Sequence, residues 1–555
     1  MHEYERALER RYEELSSSRA PYLDRARRCS ALTIPSLIPQ TAGTLNYRHN
    51  GGDSFDVPWQ SMGARCVNNL ASKLMLAQMP PNTPFFRLMV QPNAIPTDER
   101  DPDMDAEIER GLSKMERLIV NYASTGDDRV VVHEAFKHLI VGGNALLYLP
   151  PITTLDDHNA RCYHLSDYVV RRTPAGQVME IIVHEAVSLT SLPEELQAVL
   201  MKELGEPQEA GNEAHFKDGV YDIIDLYTGI ILDEAAGLWR VRQEVMGHVV
   251  PHSIGTYPLD ASPWIPMRFI RVDGEDYGRS YVEEYYGDIS SLDALYQALI
   301  EGAAACAKVV FLVNPNGSTR VEDLSQSPNL GFVNGLADEV TVLQMQKYGD
   351  FKVAKEMIAE LERRLAHAFI LNTAIQRDGE RVTAEEIRRM SEDLEAALGG
   401  VYSLMAVEFQ LPYVRVRMRQ MSDAGMLPVL PDGTVKPSIV TGVEALGRGN
   451  DKTKLLELGQ QVAQILGPQA ISSLIDPTEY LRRLIAASGI DEGGLIVDQE
   501  ALQASREQAQ TLDMVKALGP EAMRQLGDVA SADPEMMSQM MGGGGIGDVQ
   551  VPTTA

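Results

Sequence analysis

The chain has 555 residues, 44% of them hydrophobic and 6% aromatic, with 50 basic against 79 acidic side chains and a formal net charge of −29. That is enough apolar material for packed cores in about three or four domains, so wholesale disorder is excluded. The acidic balance argues against gripping nucleic acid along a basic groove, because phosphate binding needs clustered Lys and Arg. It leaves room for a protein that lets DNA pass without sticking.

Cys29, Cys66, Cys162 and Cys306 are far apart and form no CxxC pair. They read as reduced, mostly buried thiols in a cytosolic setting. No apolar run approaches the ~18–20 residues of a membrane span; the longest, Ala303 to Val313, is broken by Lys308. Charge begins at Glu3, Glu5 and Arg6, unlike a secretory signal, so a soluble intracellular product is expected.

Residues 3–30 are predicted helical, with Tyr4, Leu8, Tyr12 and Leu15 at helical spacing and a break expected at Ser16-Ser17-Ser18 and Pro21. A loop-rich stretch from Pro35 to Trp59 precedes a helix from Ser61 to Met79, striped by Met62, Cys66, Leu70, Leu74 and Ala77 and stopped by Pro80-Pro81. Asp101 to Tyr122 repeats the pattern with Ile108, Leu112, Met115 and Ile119. After a helical stretch around Ala135–Val141, strands are predicted at Ala145–Leu149, Tyr168–Arg172, Val178–Ala186, Tyr221–Tyr227, Ile230–Leu232 and Leu238–Val245. Residues 181–240 hold twelve acids and three bases, the signature of a solvated face.

The longest helical patterns are Asp288–Lys308 and Phe351–Leu371, each about 30 Å long at ~1.5 Å per residue. Between them come a strand (Val309–Val313), a turn (Asn314 to Gly317), a polar loop and a second strand (Val340–Met345). Two long helices bracketing a small β insertion form a projecting arm. Thr383 opens another helix through a capping box with Glu386. Its stripe of Ile387, Met390, Leu394, Leu398, Val401, Met405 and Phe409 runs to Pro412, with a kink expected at Gly399-Gly400. Beyond it lie a basic run (Arg415, Arg417, Arg419), a turn-rich linker to Pro437, helices from about Asp451 to Ser488, and an acidic, Met- and Gly-rich tail expected to be flexible.

Motifs for chemistry fail on spacing. His133 and His138 lie five residues apart, which turns the second by about 140° on a helix, whereas a zinc helix needs i, i+4. Gly442 to Gly449 is a near miss to a phosphate-binding loop, with Arg448 in place of Lys and Gly449 in place of Ser or Thr. Ser61 in Trp59–Gly63 lacks the first glycine of a nucleophile elbow and reads as an N-cap, and Glu385/Glu386 are ordinary helix-surface acids. No catalytic residue, metal site or cofactor is expected.

The run from Arg377 through Glu380, Arg381 and Ile387, then Leu398–Tyr402 to Glu408–Pro412, resembles the portal (head-to-tail connector) proteins of short-tailed, T7-like bacteriophages. Gly63–Leu74, Thr83–Leu88 and Thr441–Gly449 agree in order, so the likeness spans about residues 5–490. It implies an α+β, mostly helical portal fold assembled as a ring, usually of twelve subunits, at one capsid vertex. Residues 1–284 with 384–414 would form the wing, 285–308 and 351–371 the stem, 309–350 a small α/β clip, 372–383 a tunnel loop and 415–490 the crown, leaving 491–555 as a C-terminal barrel or tail.

Through such a ring the genome is packaged and ejected. The implied partners are a terminase motor, tail adaptors, major capsid and scaffolding proteins, internal core proteins and double-stranded DNA bound without sequence preference. The implied location is the virion, and the host cytoplasm during assembly. Arg377 and Arg381 are expected to touch DNA from a loop that includes Asn372, Gln376, Asp378, Gly379 and Glu380, while Asn314, Asn316, Arg320 and Asp323 are expected to dock motor and tail. The competing reading is a virion scaffold or adaptor that binds structural proteins and conducts nothing.

Overall fold

Apolar side chains at three- and four-residue spacing make each helix bury one side, and the core lies where those stripes meet. The computed structural model describes residues 7–38, 57–80, 84–90, 102–152, 160–204, 223–307, 310–328, 331–343, 348–371, 398–428 and 435–439, with Leu394 and a few positions between 455 and 484. The chain divides into two units, Met1–Gly447 and Arg448–Ala555. In the second, the Tyr480 hydroxyl donates to the Leu455 carbonyl at 2.6 Å.

Helix α1 (Leu8–Leu32) runs unbroken through Ser16–Ser18 and Pro21, against expectation. The three serine hydroxyls donate back to the Glu13, Glu14 and Leu15 carbonyls, so they stay inside the helix instead of ending it. Tertiary packing does the rest: Leu8, Tyr12, Arg19, Leu23, Ala26 and Cys29 are buried on one side. Helix α2 (Met62–Gln78) buries its predicted stripe, but the Gln60 side chain, not Ser61, accepts the Gly63 N–H at 2.7 Å. Strand β1 (Phe86–Val90), α3 (Pro102–Thr125) and α4 (Asp128–Gly142) come next in the chain. Helix α4 stops at Gly143, whose φ of +73° suits the left-handed cap that closes many helices.

After α4 come β2 (Asn144–Tyr148), β3 (Arg161–Tyr163), β4 (Tyr168–Arg172), β5 (Val178–Ser188), α5 (Glu194–Leu204), β6 (Ile223–Asp233), β7 (Leu238–Val245), β8 (His248–Val249), β9 (Gly255–Pro258) and β10 (Trp264–Arg268). Strands β4-β5-β6-β7-β8 form one antiparallel sheet with β9 on β7, and β10-β2-β3 form another. The two strands expected on either side of Gly229 are one, β6. Gly229 does not end the strand. It admits Leu8 of α1, which would lie 2.5 Å from a Cβ there.

The chain then runs through α6 (Tyr281–Glu284), α7 (Tyr286–Ala307), β11 (Val310–Val313), α8 (Val321–Gln326), β12 (Val340–Leu343), α9 (Tyr348–Ala368), α10 (Gly400–Met405), α11 (Leu411–Asp423) and β13 (Val435–Ile439). Gly399, at φ +48°, marks the expected irregularity before α10. Pro412 does not end the helix. A π-helical turn at Ala406–Gln410 carries α10 into α11, and proline sits in the first turn of α11, where its missing N–H is tolerated. Lys436-Pro437 lies within β13, not in a linker, with Pro437 opposite Leu88 in the two-stranded β1-β13 sheet. No described helix is long and apolar enough to cross a membrane.

The expected basic run is likewise corrected, because it lies on α11 and its middle member points inward. Arg417 is buried, its Nε 2.9 Å from Asp128 Oδ2, and the Tyr413 hydroxyl donates to the same oxygen at 2.6 Å. Asp128 is itself fully buried at the start of α4. This pair therefore ties the C-terminal helices to the centre of the core. Replacing Arg417 alone should leave a buried charge unpaired: Arg417→Met is expected to cost about 3–5 kcal/mol, and adding Asp128→Asn to recover most of that, in denaturant titrations.

Candidate functional site

The arm is built from α7 and α9. Asp288 pairs with Arg364 at 2.8 Å, the Tyr296 hydroxyl donates to Glu362 at 2.7 Å, and Gly302 lies against Phe351. These pairings run in opposite chain directions, so the helices are antiparallel. A Cβ at 302 would come within 2.8 Å of the Phe351 ring, so glycine lets that ring lie directly against α7. Burial fades outward: Ile289, Leu292, Ile358, Leu361 and Leu365 are buried near the root, whereas Ile300, Val353 and Met357 are exposed.

At the tip, β11 and β12 pair from Val310↔Leu343 to Val313↔Val340. The Asn314 side chain accepts the Asn316 N–H at 3.1 Å, and the Gly317 N–H closes the predicted turn on the Asn314 carbonyl at 3.0 Å. Glu339 organises the two residues after that turn. Its carboxylate accepts from the Thr319 hydroxyl at 2.6 Å and from the Ser318 and Thr319 N–H groups at 2.9 Å each. Those donors, the Thr319 hydroxyl first, hold the Glu339 carboxyl down at about 2. Arg320 and Asp323 are exposed at the start of α8, a short helix inside the stretch expected to be a polar loop.

The tip has almost no interior. Among described residues 311–341 only Thr319 is buried, and Phe332 is fully exposed at 103%. Phe311, Leu312, Val321, Leu324 and Leu336 are exposed as well.

A family model, bacteriophage head to tail connecting protein, matches residues 5–496. The chain belongs to that family. It is 40% identical over 528 residues to the portal protein of Escherichia phage T7, covering 95% of each chain. It is 39% identical over 527 residues to that of Enterobacteria phage T3, again 95% of each, and 29% identical over 540 residues to that of Enterobacteria phage SP6, 96% of each. These relatives are named for a structural part of a phage, not for a catalyst.

In this head-to-tail connecting protein, residues 372–383 lie outside the described residues, and with them Asn372, Gln376, Arg377, Asp378, Gly379, Glu380 and Arg381. The same holds for Glu385/Glu386 and for Gly442–Gly449. The described residues do include the approach to the segment. Beyond α9, Ile370 has φ +56°, a left-handed conformation that costs a β-branched residue of order 1–3 kcal/mol. The Leu371 N–H returns to the Ala366 carbonyl at 2.7 Å. Asn69 Nδ2 donates to the Phe369 carbonyl at 3.0 Å, and the Lys73 amine donates to the Ile370 carbonyl. A cation on the last carbonyls also suits the negative end of the helix dipole.

Sequence reasoning missed Asn69 and Lys73 as positioning residues. Their signal was present, as polar side chains along one edge of an otherwise apolar helix. Nothing in the sequence marked Ile370. His133 and His138 go to separate surroundings: His133 Nε2 lies 3.4 Å from the Ser72 hydroxyl, and buried His138 stacks on His164 at 6.1 Å. Cys29 and Cys66 are buried, which pushes their thiols up to about 11 and about 12, whereas Cys162 and Cys306 are half-buried.

The Glu339 site carries a pH signature. A carboxyl held below its unfolded value contributes stability that is full above that ordinary range and is lost as pH falls through the folded value. Protection of the Ser318 and Thr319 amides, taken as exchange relative to the intrinsic rate at each pH, should therefore hold down to about pH 4 and be lost toward pH 2. In Glu339→Gln these amides should exchange faster at neutral pH, with the acid step gone.

Proposed function

We propose that this chain is a portal protein: twelve copies close into a ring at one capsid vertex, and duplex DNA enters and leaves through the central tunnel. The observation that carries this reading is the match along 95% of both chains to the T7 relative. The arm supports it physically. A two-stranded sheet is marginal alone, and a tip with exposed Phe311, Phe332 and Leu336 gains from neighbouring copies. The acidic balance suits a conduit, since a wall that repels phosphate holds DNA loosely.

In this reading residues 285–308 and 351–371 are the stem, 309–350 the clip, 372–383 the tunnel loop, and 1–284 with 384–414 the wing. Residues 415–490 are the crown and 491–555 the C-terminal barrel or tail, and α11 at the start of the crown is bonded to Asp128 through Arg417. The clip, through Asn314, Asn316, Arg320 and Asp323, docks the terminase motor during packaging and tail adaptors afterwards. Capsid, scaffolding and internal core proteins meet the outer parts of the ring, in the host cytoplasm during assembly and then in the virion. The scaffold or adaptor alternative has no observation in its favour.

Replacing Asn314 to Asp338 by a short Gly/Ser linker should leave ring assembly intact and abolish DNA packaging; normal packaging would remove the clip from the docking role. Arg377 and Arg381, repeated around the ring, set circles of positive charge against passing phosphates. The double variant Arg377→Ala, Arg381→Ala should assemble normally but retain less packaged DNA at matched ionic strength. Equal retention would leave these arginines as surface partners of Asp378 and Glu380 only.

A further inference from the structure

The chain carries a formal net charge of −29, yet helix α2 contains no acidic residue. Its outer side presents Arg65, Asn68 and Ser72, all exposed, with Lys73 half-buried beside them. Helix α4 extends the same surface. His133 Nε2 lies 3.4 Å from the Ser72 hydroxyl and Arg129 donates to the Met79 carbonyl, so α4 runs antiparallel to α2. Lys137, one turn beyond His133, therefore lies toward the Asn68 end of α2. Burial first, and then Lys137, hold the His133 imidazole below its ordinary range, which leaves it neutral at pH 7. The charge of the stripe thus comes from Arg65, Lys73 and Lys137. Two nearby carboxylates are engaged elsewhere. Glu134 of α4 faces His138, its carboxylate 3.9 Å from the ring, and Glu362, which lines the same cavity as Arg65, accepts from the Tyr296 hydroxyl at 2.7 Å.

Cations, amides and hydroxyls on one surface, with no carboxylate among them, are the groups that contact phosphate oxygens of nucleic acid. The stripe also stands at a particular place. Asn69 and Lys73 bond the carbonyls of Phe369 and Ile370, where the chain leaves α9 for residues 372–383. Resting on the ring reading above, in which that segment lines the tunnel, we propose that Arg65, Asn68, Ser72 and Lys137 form a second circle of contacts to the phosphates of duplex DNA. Arg65 and Lys73 are about 12 Å apart along the helix, at 1.5 Å per residue. A duplex presents about seven phosphates over that length. Such contacts read no base edges and so accept DNA of any sequence. Lys73 adds to the positive field while its bond to Ile370 fixes the root of the loop. In a wall that is acidic overall, a short stripe of this kind slows a passing duplex without gripping it.

The test uses rings of the full chain and a short blunt-ended duplex, with binding followed by fluorescence anisotropy over a range of salt. Lys73 is left in place, so that the root of the loop is undisturbed. The double variant Arg65→Gln, Lys137→Gln should raise Kd about tenfold at low salt and make log K less steep against log salt by at least about 1. The charge-keeping variant Arg65→Lys, Lys137→Arg should bind within about twofold of wild type, since phosphate accepts either cation. An unchanged salt slope in the glutamine variant, or wild-type rings that bind no duplex, would overturn the stripe and leave the ring standing. A glutamine variant that no longer closes into rings would also overturn it, and would assign the stripe to a contact between copies. A wild-type chain that sediments as a monomer would overturn the ring, and the stripe with it.

Discussion

The arm is joined to the rest of the protein through an aromatic cluster of Tyr281, Tyr285 and Phe369, with ring centres 5.1 to 5.5 Å apart. The Tyr281 hydroxyl closes the joint by donating to the Ala368 carbonyl at 2.9 Å. Around it Ile289, Leu292 and Leu365 are buried, and outward of them each helix keeps only one covered side. A helix pair of this length gains most of its stability from tertiary packing, so the outer half depends on the root and on coverage by neighbouring copies. Packing three aromatic rings at one end, Tyr281 and Phe369 buried and Tyr285 half-buried, is the local answer to that demand.

The same joint sets the chain's exit toward residue 372. With Phe369 buried in the cluster, Ile370 takes the left-handed cap that glycine or asparagine usually fills. The cost is met by side chains from α2, since Asn69 and Lys73 satisfy the carbonyls left open at the end of α9. The segment Gly63–Leu74, which carries part of the family likeness, thus has a physical task. Its apolar side builds the core, and its polar edge holds the end of the stem helix.

Elements governed by local periodicity were legible in the sequence: α2 and α3 bury the stripes their spacing predicts, and α7 and α9 bury theirs at the root, through Ile289, Leu292, Ile358, Leu361 and Leu365, while Ala303 and Met357 farther out are exposed. Elements governed by tertiary contact were not. Ser16–Ser18 and Pro21 look like a break until α1 is seen pressed along the large sheet, and Gly229 looks like a strand end until Leu8 is seen above it. Pro412 and Pro437 read as stops, yet a π-turn and a two-stranded edge accommodate them. Helix α5 went unseen because its apolar residues pack on a satellite core with Ile224, Leu226 and Val245, from a strand pair distant in sequence. At the arm's tip the turn at Asn314 was readable from its residues, but the bonds from Glu339 to Ser318 and Thr319 join positions some twenty residues apart.

The central claim is that these one-sided helices are covered by identical neighbours around a DNA-sized hole. An electron cryomicroscopy map of the purified protein tests it most directly. The expected result is a closed ring in which neighbouring arms touch along their length and the segment after Leu371 faces a tunnel wide enough for a duplex. Isolated copies, or an open assembly whose arms stay uncovered, would contradict it.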